Sequence, residues 1–143
     1  MNTEYSINLV LDTKFEKNNL IPLFKKALDL GIKFFDEQAD DTLDMPILTS
    51  KKATQIATQE KKEITDDPIG TLWGVFHDTS FFFYVFRKPN NVIIVSLLIF
   101  PESLKWIKKY KESDVIDYAR YIRLLLKICE DYTVINLETE INY

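Results

Sequence analysis

Between residues 71 and 100 the chain reads TLWGVFHDTSFFFYVFRKPNNVIIVSLLIF. Three runs rich in β-branched and aromatic residues are parted only by Asp78–Thr79 and by Pro89–Asn90–Asn91. Runs of this composition bounded by short polar breaks are β-strands, and breaks this short join antiparallel neighbours, so the segment is an antiparallel meander. Successive side chains alternate across a strand. In the middle run Phe81, Phe83 and Val85 therefore point one way, and Phe82, Tyr84 and Phe86 the other. Both sets are apolar, which predicts a central strand covered on both faces.

The segments on either side supply the rest of a sheet and the helices to cover it. YSINLVL (5–11) alternates Tyr5, Ile7, Leu9 and Leu11 against Ser6, Asn8 and Val10, the pattern of a half-buried strand. Asn18 or Asn19 caps a helix starting near Leu20. Pro22 is tolerated in its first turn, and Leu20, Leu23, Phe24, Ala27 and Leu28 form its apolar stripe. Gly31 is the expected stop, followed by a short strand over residues 32–35. PESLKWIKKYK (101–111) reads as a helix. A longer one follows Ser113, with a stripe of Ile116, Ala119, Ile122, Leu126 and Cys129 widened by Val115, Tyr118 and Leu125. TVINLETEI (133–141) is a final strand, with Ile135 and Leu137 opposed to Asn136 and Glu138.

Residues 36–70 fit neither period. They open on DEQADDTLD, contain a short candidate helix with Ala53, Ile56 and Ala57 on a thin apolar side, and leave through EITDDPIG. This third is expected to be an irregular, partly mobile excursion that packs weakly and where function can sit. The order β-α-β, excursion, β-β-β, α-α, β predicts one α+β domain over residues 1–143, with a mainly antiparallel sheet and helices on one face. Phenylalanines on the other face then need cover, from the excursion or from a partner.

Composition narrows the class. At 143 residues with 46% hydrophobic and 13% aromatic side chains, one domain can build a core without metals or disulfides. A lone cysteine, Cys129, allows no internal disulfide and fits a reducing compartment. The N-terminal run has Glu4 where a secretory leader has basic residues. The longest apolar run, residues 92–100, is far short of the about 20 residues of a membrane span, so a cytoplasmic protein with no membrane partner is expected. Fifteen lysines against three arginines, with sixteen isoleucines, suit an AT-rich, bacterial genome.

The formal net charge is −4, and residues 1–50 hold nine acids against five bases. An acidic domain is a poor binder of nucleic acid phosphates but steers toward a basic protein. KWIKKYK interleaves lysines with Trp106 and Tyr110, yet its lysines read equally as the solvated side of an amphipathic helix, and no nucleic-acid motif accompanies them.

Catalytic chemistry finds few candidates. His77, the only histidine, precedes Asp78, but neighbours on a strand face opposite ways, and Asp78–Thr79 is good turn chemistry. Cys129 reads as a small core residue. One cysteine and one histidine cannot close a zinc site, and there is no P-loop or dinucleotide fingerprint, so no cofactor is expected. A calcium loop from Asp36 fails where it needs glycine and a bidentate glutamate, which are Asp41 and Ile47. The acidic run reads better as a solvated loop that docks on a basic surface.

In size, acidity and want of catalytic motifs the chain resembles the immunity proteins, the small acidic α+β proteins with which bacteria neutralise toxins. That resemblance implies a non-enzymatic inhibitor of a basic, nuclease-type toxin. The candidate partner-binding residues are Asp36, Glu37, Asp40, Asp41, Asp44 and Tyr84, the acids steering and the aromatic face anchoring. Two other readings remain open: a small-ligand or enzymatic domain with a pocket near His77, and a homodimer formed through the open face of the meander.

Overall fold

The computed structural model describes residues 4–35, 56–58, 67–76, 79–99 and 118–142. The elements are β1 (Glu4–Asp12), α1 (Ile21–Asp29), β2 (Lys33–Phe35), β3 (Gly70–Phe76), β4 (Thr79–Lys88), β5 (Val92–Ile99), α2 (Tyr118–Ile128) and β6 (Thr133–Asn142). The strands form one six-stranded sheet in the order β2-β3-β4-β5-β1-β6, every neighbouring pair antiparallel. This is the expected α+β fold. The meander β3-β4-β5 lies in the sheet in chain order. β1 inserts between β5 and β6 at the far side, with Leu9 opposite both Val95 and Leu137.

Side-chain alternation gives the sheet two unlike faces. The inner one carries Ile7, Leu9, Leu11, Leu72, Phe81, Phe83, Val85, Ile93, Val95, Leu97 and Ile99, all buried. Against it pack Leu23, Phe24 and Ala27 of α1, and Tyr121, Leu125 and Ile128 of α2. Phe24, Phe34 and Phe83 meet edge to face with centroids 5.3 to 5.6 Å apart, fastening α1 to β2 and β4. Gly74 faces Phe81 across the β3–β4 pair. The Phe81 ring lies where a Cβ on Gly74 would stand, so the ring closes over bare backbone.

Local signals account for the element ends. At the close of α1, Gly31 takes φ 98°, its N–H bonds to the Leu28 carbonyl, and the Ile32 N–H reaches back to Ala27, both at 3.0 Å. This is the Schellman closure, which needs a left-handed residue at that position. Asn19 rather than Asn18 serves the helix start: its side-chain oxygen accepts the Ile21 N–H at 3.0 Å. Asn18 has another task. It is buried beside Thr13 and Asn91, where the Thr13 hydroxyl lies 2.7 Å from the Asn91 carbonyl and also within hydrogen-bond distance of the Asn18 side-chain oxygen. The network ties the β1–α1 loop to the β4–β5 turn. Asn18, Asn90 and Asn91 all have positive φ, a region that asparagine tolerates better than most residues.

Two expectations need correction. The excursion does not pack weakly at Ile56 and Ala57: residues 56–58 are helical, both side chains are fully buried in the inner core, and the Ala57 carbonyl accepts the Leu20 N–H at 2.8 Å. The inner stripe of α2 is also rotated. It runs through Tyr121, Leu125, Ile128 and Cys129, whereas Ala119 and Leu126 are exposed. A helix carrying Leu124, Leu125 and Leu126 in succession offers two apolar phases, and contact with the sheet selects one.

Candidate functional site

The outer face of the sheet has none of the described helices against it. Its side chains follow from the register. On β3 and β4 four of them are aromatic, beside Thr71, Val75 and Ser80: Trp73 pairs with Phe82, and Phe82, Tyr84 and Phe86 follow along β4. The rings form a continuous row, with centroids 5.2 Å apart for Trp73–Phe82, 5.9 Å for Phe82–Tyr84 and 6.3 Å for Tyr84–Phe86. All four are half-buried, and the Lys88 ammonium stands 5.9 Å from the centre of the Phe86 ring. Of the cover expected on both faces of β4, the described residues supply the inner part, a sealed core; the rings outside are half-buried.

Toward β5 and β1 polar side chains enter the outer face among Val10, Ile94 and Leu98. Tyr84 sits opposite Ser96, Ser96 opposite Asn8, and Asn8 opposite Glu138; one step along, Ser6 lies opposite both Leu98 and Glu140. The Ser96 hydroxyl donates to the Asn8 side-chain oxygen, which satisfies two polar groups on an otherwise β-branched and aromatic surface. Ser6 and Ser96 are buried, and Glu138 and Glu140 are exposed. Part of this surface forms an open pocket of about 320 Å³, with Tyr84, Phe86, Leu98 and Pro68 as apolar walls, Ser6, Asn8 and Ser96 as polar floor, and Glu140 at the rim. A pocket that sets aromatic rings beside a carboxylate suits a cationic group, which gains from both.

Of the residues singled out from the sequence, Tyr84 lies in this pocket. Asp36, Glu37, Asp40, Asp41, Asp44 and His77 lie outside the described residues. The strands flanking His77 pair as a hairpin, Phe76 with Thr79, and the described lining of the pocket comes from other parts of the sheet. Sequence reasoning missed Ser6, Asn8, Ser96, Glu138 and Glu140. Alternation placed Ser6 and Asn8 on the polar side of β1. What was wanting was the strand order, which alone brings β1, β5 and β6 side by side.

Other chemistry is weaker. Cys129 is fully buried and burial pushes its thiol well up, which leaves no thiolate to act as nucleophile. Tyr132 is buried with its hydroxyl donating to the Asn19 carbonyl at 2.8 Å. Burial raises its pKa to about 12, so it stays a neutral structural donor near neutral pH. Phe15 is the most exposed large apolar side chain among the described residues, at 85%, on the loop that Thr13, Asn18 and Asn91 hold in place. No described helix is long and apolar enough to cross a membrane. Comparison of the chain with protein-family models, curated proteins and solved structures finds no match.

Proposed function

We propose that the chain is a non-enzymatic protein-binding module that engages a basic protein partner through the outer face of its sheet, as an immunity protein engages a toxin. The observation that carries this reading is the outer face itself: a row of four half-buried aromatic rings leading into a pocket with the Glu140 carboxylate at its edge. Aromatic side chains anchor interfaces because they bring large area at little entropic cost, and carboxylates steer and orient a cationic partner. On sequence grounds Asp36, Glu37, Asp40, Asp41 and Asp44 add to the steering.

The test has two stages. Capture of the tagged chain from its host lysate at low and high salt identifies a basic partner. Binding kinetics with that partner then separate the two roles. Tyr84→Ala is expected to raise the dissociation rate about tenfold with little change in association. Charge reversal at Asp40, Asp41 and Asp44 is expected to slow association, with an effect that shrinks as salt rises. Unchanged rates in both variants would remove the proposal.

The pocket favours a second reading, a site for a small cationic ligand between Tyr84, Phe86 and Glu140. A screen of small amines read by thermal stabilisation separates the two. Stabilisation that Glu140→Gln abolishes, with no protein captured, would support the small ligand.

A further inference from the structure

The two edges of the sheet differ. β2 is three residues long and carries Lys33, two of the devices by which edge strands avoid further pairing. β6 is ten residues long and has only β1 as a partner among the described residues. A bulge between Val134 and Asn136 disturbs its start, leaving residues 136–142 as a regular stretch paired on one side. Apart from Leu137, which packs on the core, the described side chains from Ile135 to Ile141 remain in solvent: Ile141 is 41% exposed, Ile135 is 56% exposed, and Asn136, Glu138, Thr139 and Glu140 are exposed as well. Exposed apolar residues on a long strand whose outer edge has no partner among the described residues are a template for another strand.

We infer that β6 is a docking edge that pairs with an extended strand of the partner protein, one that alternates cationic and apolar residues. The inference rests on the reading of the chain as a module for a basic protein and adds the mode of engagement. On the outer face, Glu138 and Glu140 stand two residues apart, as do successive side chains of an added strand on that face, so lysine or arginine at alternate positions meets them directly. Asn136 Nδ2 donates to Glu138 Oε1 at 3.0 Å and holds that carboxylate at the seam. On the inner face, Ile141 is 41% exposed and offers apolar surface to the intervening residues, beside Leu137, which is half-buried against the core. A second copy of this chain fits less well, because it brings its own Glu138 and Glu140 to the same face of the seam. Glu140 also rims the outer-face pocket, so a strand on β6 continues the proposed interface without a gap.

The probe is a capped nine-residue peptide alternating lysine and valine, titrated into the isotopically labelled full chain and followed by NMR. Shifts and exchange protection are expected in the amides of residues 134–142. Glu138→Lys with Glu140→Lys, both on exposed side chains, is expected to weaken binding about tenfold or more. Two N-methylated versions of the peptide, each blocking one alternate set of amides, test strand pairing itself. One should bind as the parent and the other should fail, since only one edge of an added strand faces β6. Equal binding of the two versions would overturn strand addition while leaving charge steering intact. Shifts confined to Trp73, Phe82 and Tyr84 would overturn it while supporting the outer-face reading. A dimer of the unbound chain that those two lysine substitutions disrupt would assign the edge to a second copy and overturn it too.

Discussion

The same strand, β4, supplies both halves of the most informative contrast in the molecule. Phe81 and Phe83 point into the helix-covered core and are fully buried, whereas Phe82, Tyr84 and Phe86, interleaved with them, lie half-buried on the other side. Residue type barely differs between the two sets. What differs, among the described residues, is what lies against them: two helices and residues 56–57 pack on the inner side, whereas the outer side is a surface that grades from rings through Ser96 and Asn8 to Glu138 and Glu140. Burying a side chain such as phenylalanine in full contributes about 1.5–3 kcal/mol, so the inner set holds the fold. The outer set retains apolar area that a partner can still remove from water.

The largest effect that could break this contrast comes from truncation on either side of β4. Phe83→Ala should cost about 3–5 kcal/mol in urea unfolding, since it empties the junction with Phe24 and Phe34. Phe82→Ala should cost less than about 2 kcal/mol. Equal losses would mean that the two faces are equally structural. Next comes Gly74→Ala, which drives a methyl group into the Phe81 ring and should cost about 1–3 kcal/mol by the same measurement. A neutral result would show that the inner face yields as easily as the outer.

Tyr132→Phe comes third, at about 1 kcal/mol, because the Asn19 carbonyl loses its donor. Its pH dependence sharpens the test. The folded-state pKa of Tyr132 is raised from 10.0 to about 12, so between these values the unfolded chain has given up the proton and the folded chain has kept it. The stabilisation is fully present below pH 10 and is lost as pH rises toward 12. The wild-type melting temperature should therefore fall more steeply over that window than that of Tyr132→Phe.

Last is the link between the helices at the surface, where Lys26 bonds Glu130 and Lys127 stands 3.2 Å from the same carboxylate. The hydrogen bond to Glu130 holds the Lys26 pKa up, and the one from Lys26 holds that of Glu130 down. Lys26→Met should shift the melting temperature least of these variants, less still in high salt. The shift should vanish in acid as Glu130 takes its proton.

Much of the inner half of this contrast was legible in the chain itself. Alternation in YSINLVL and SFFFYVF puts Ile7, Leu9, Leu11, Phe81, Phe83 and Val85 on the buried face, and Gly31 marks the end of α1, because these patterns depend only on neighbours in sequence. The outer half was legible only in pieces. Tyr84 and Phe82 were on the right face, but the polar floor at Ser6, Asn8 and Ser96 exists only because β1 enters between β5 and β6, and no local pattern encodes strand order. The α2 stripe failed for a related reason: three leucines in succession leave the phase to tertiary contact, which turned Leu126 outward and Tyr121 inward.

The insertion of β1 also sets an order in time. Tyr5 is bridged to Ile99 on one side and to Ile141 on the other, whereas Phe76 meets Thr79 and Lys88 meets Val92 within a few residues. As the chain leaves the ribosome the β3-β4-β5 meander can close early. β1, made before it, waits for both of its partners and keeps an apolar edge unpaired until β5 and then β6 arrive. The strand proposed to receive a partner is thus also the one that ends this exposure. A chain arrested before residue 133 would carry the meander intact and β1 open on one side, the state from which aggregation, rather than simple unfolding, is the expected failure.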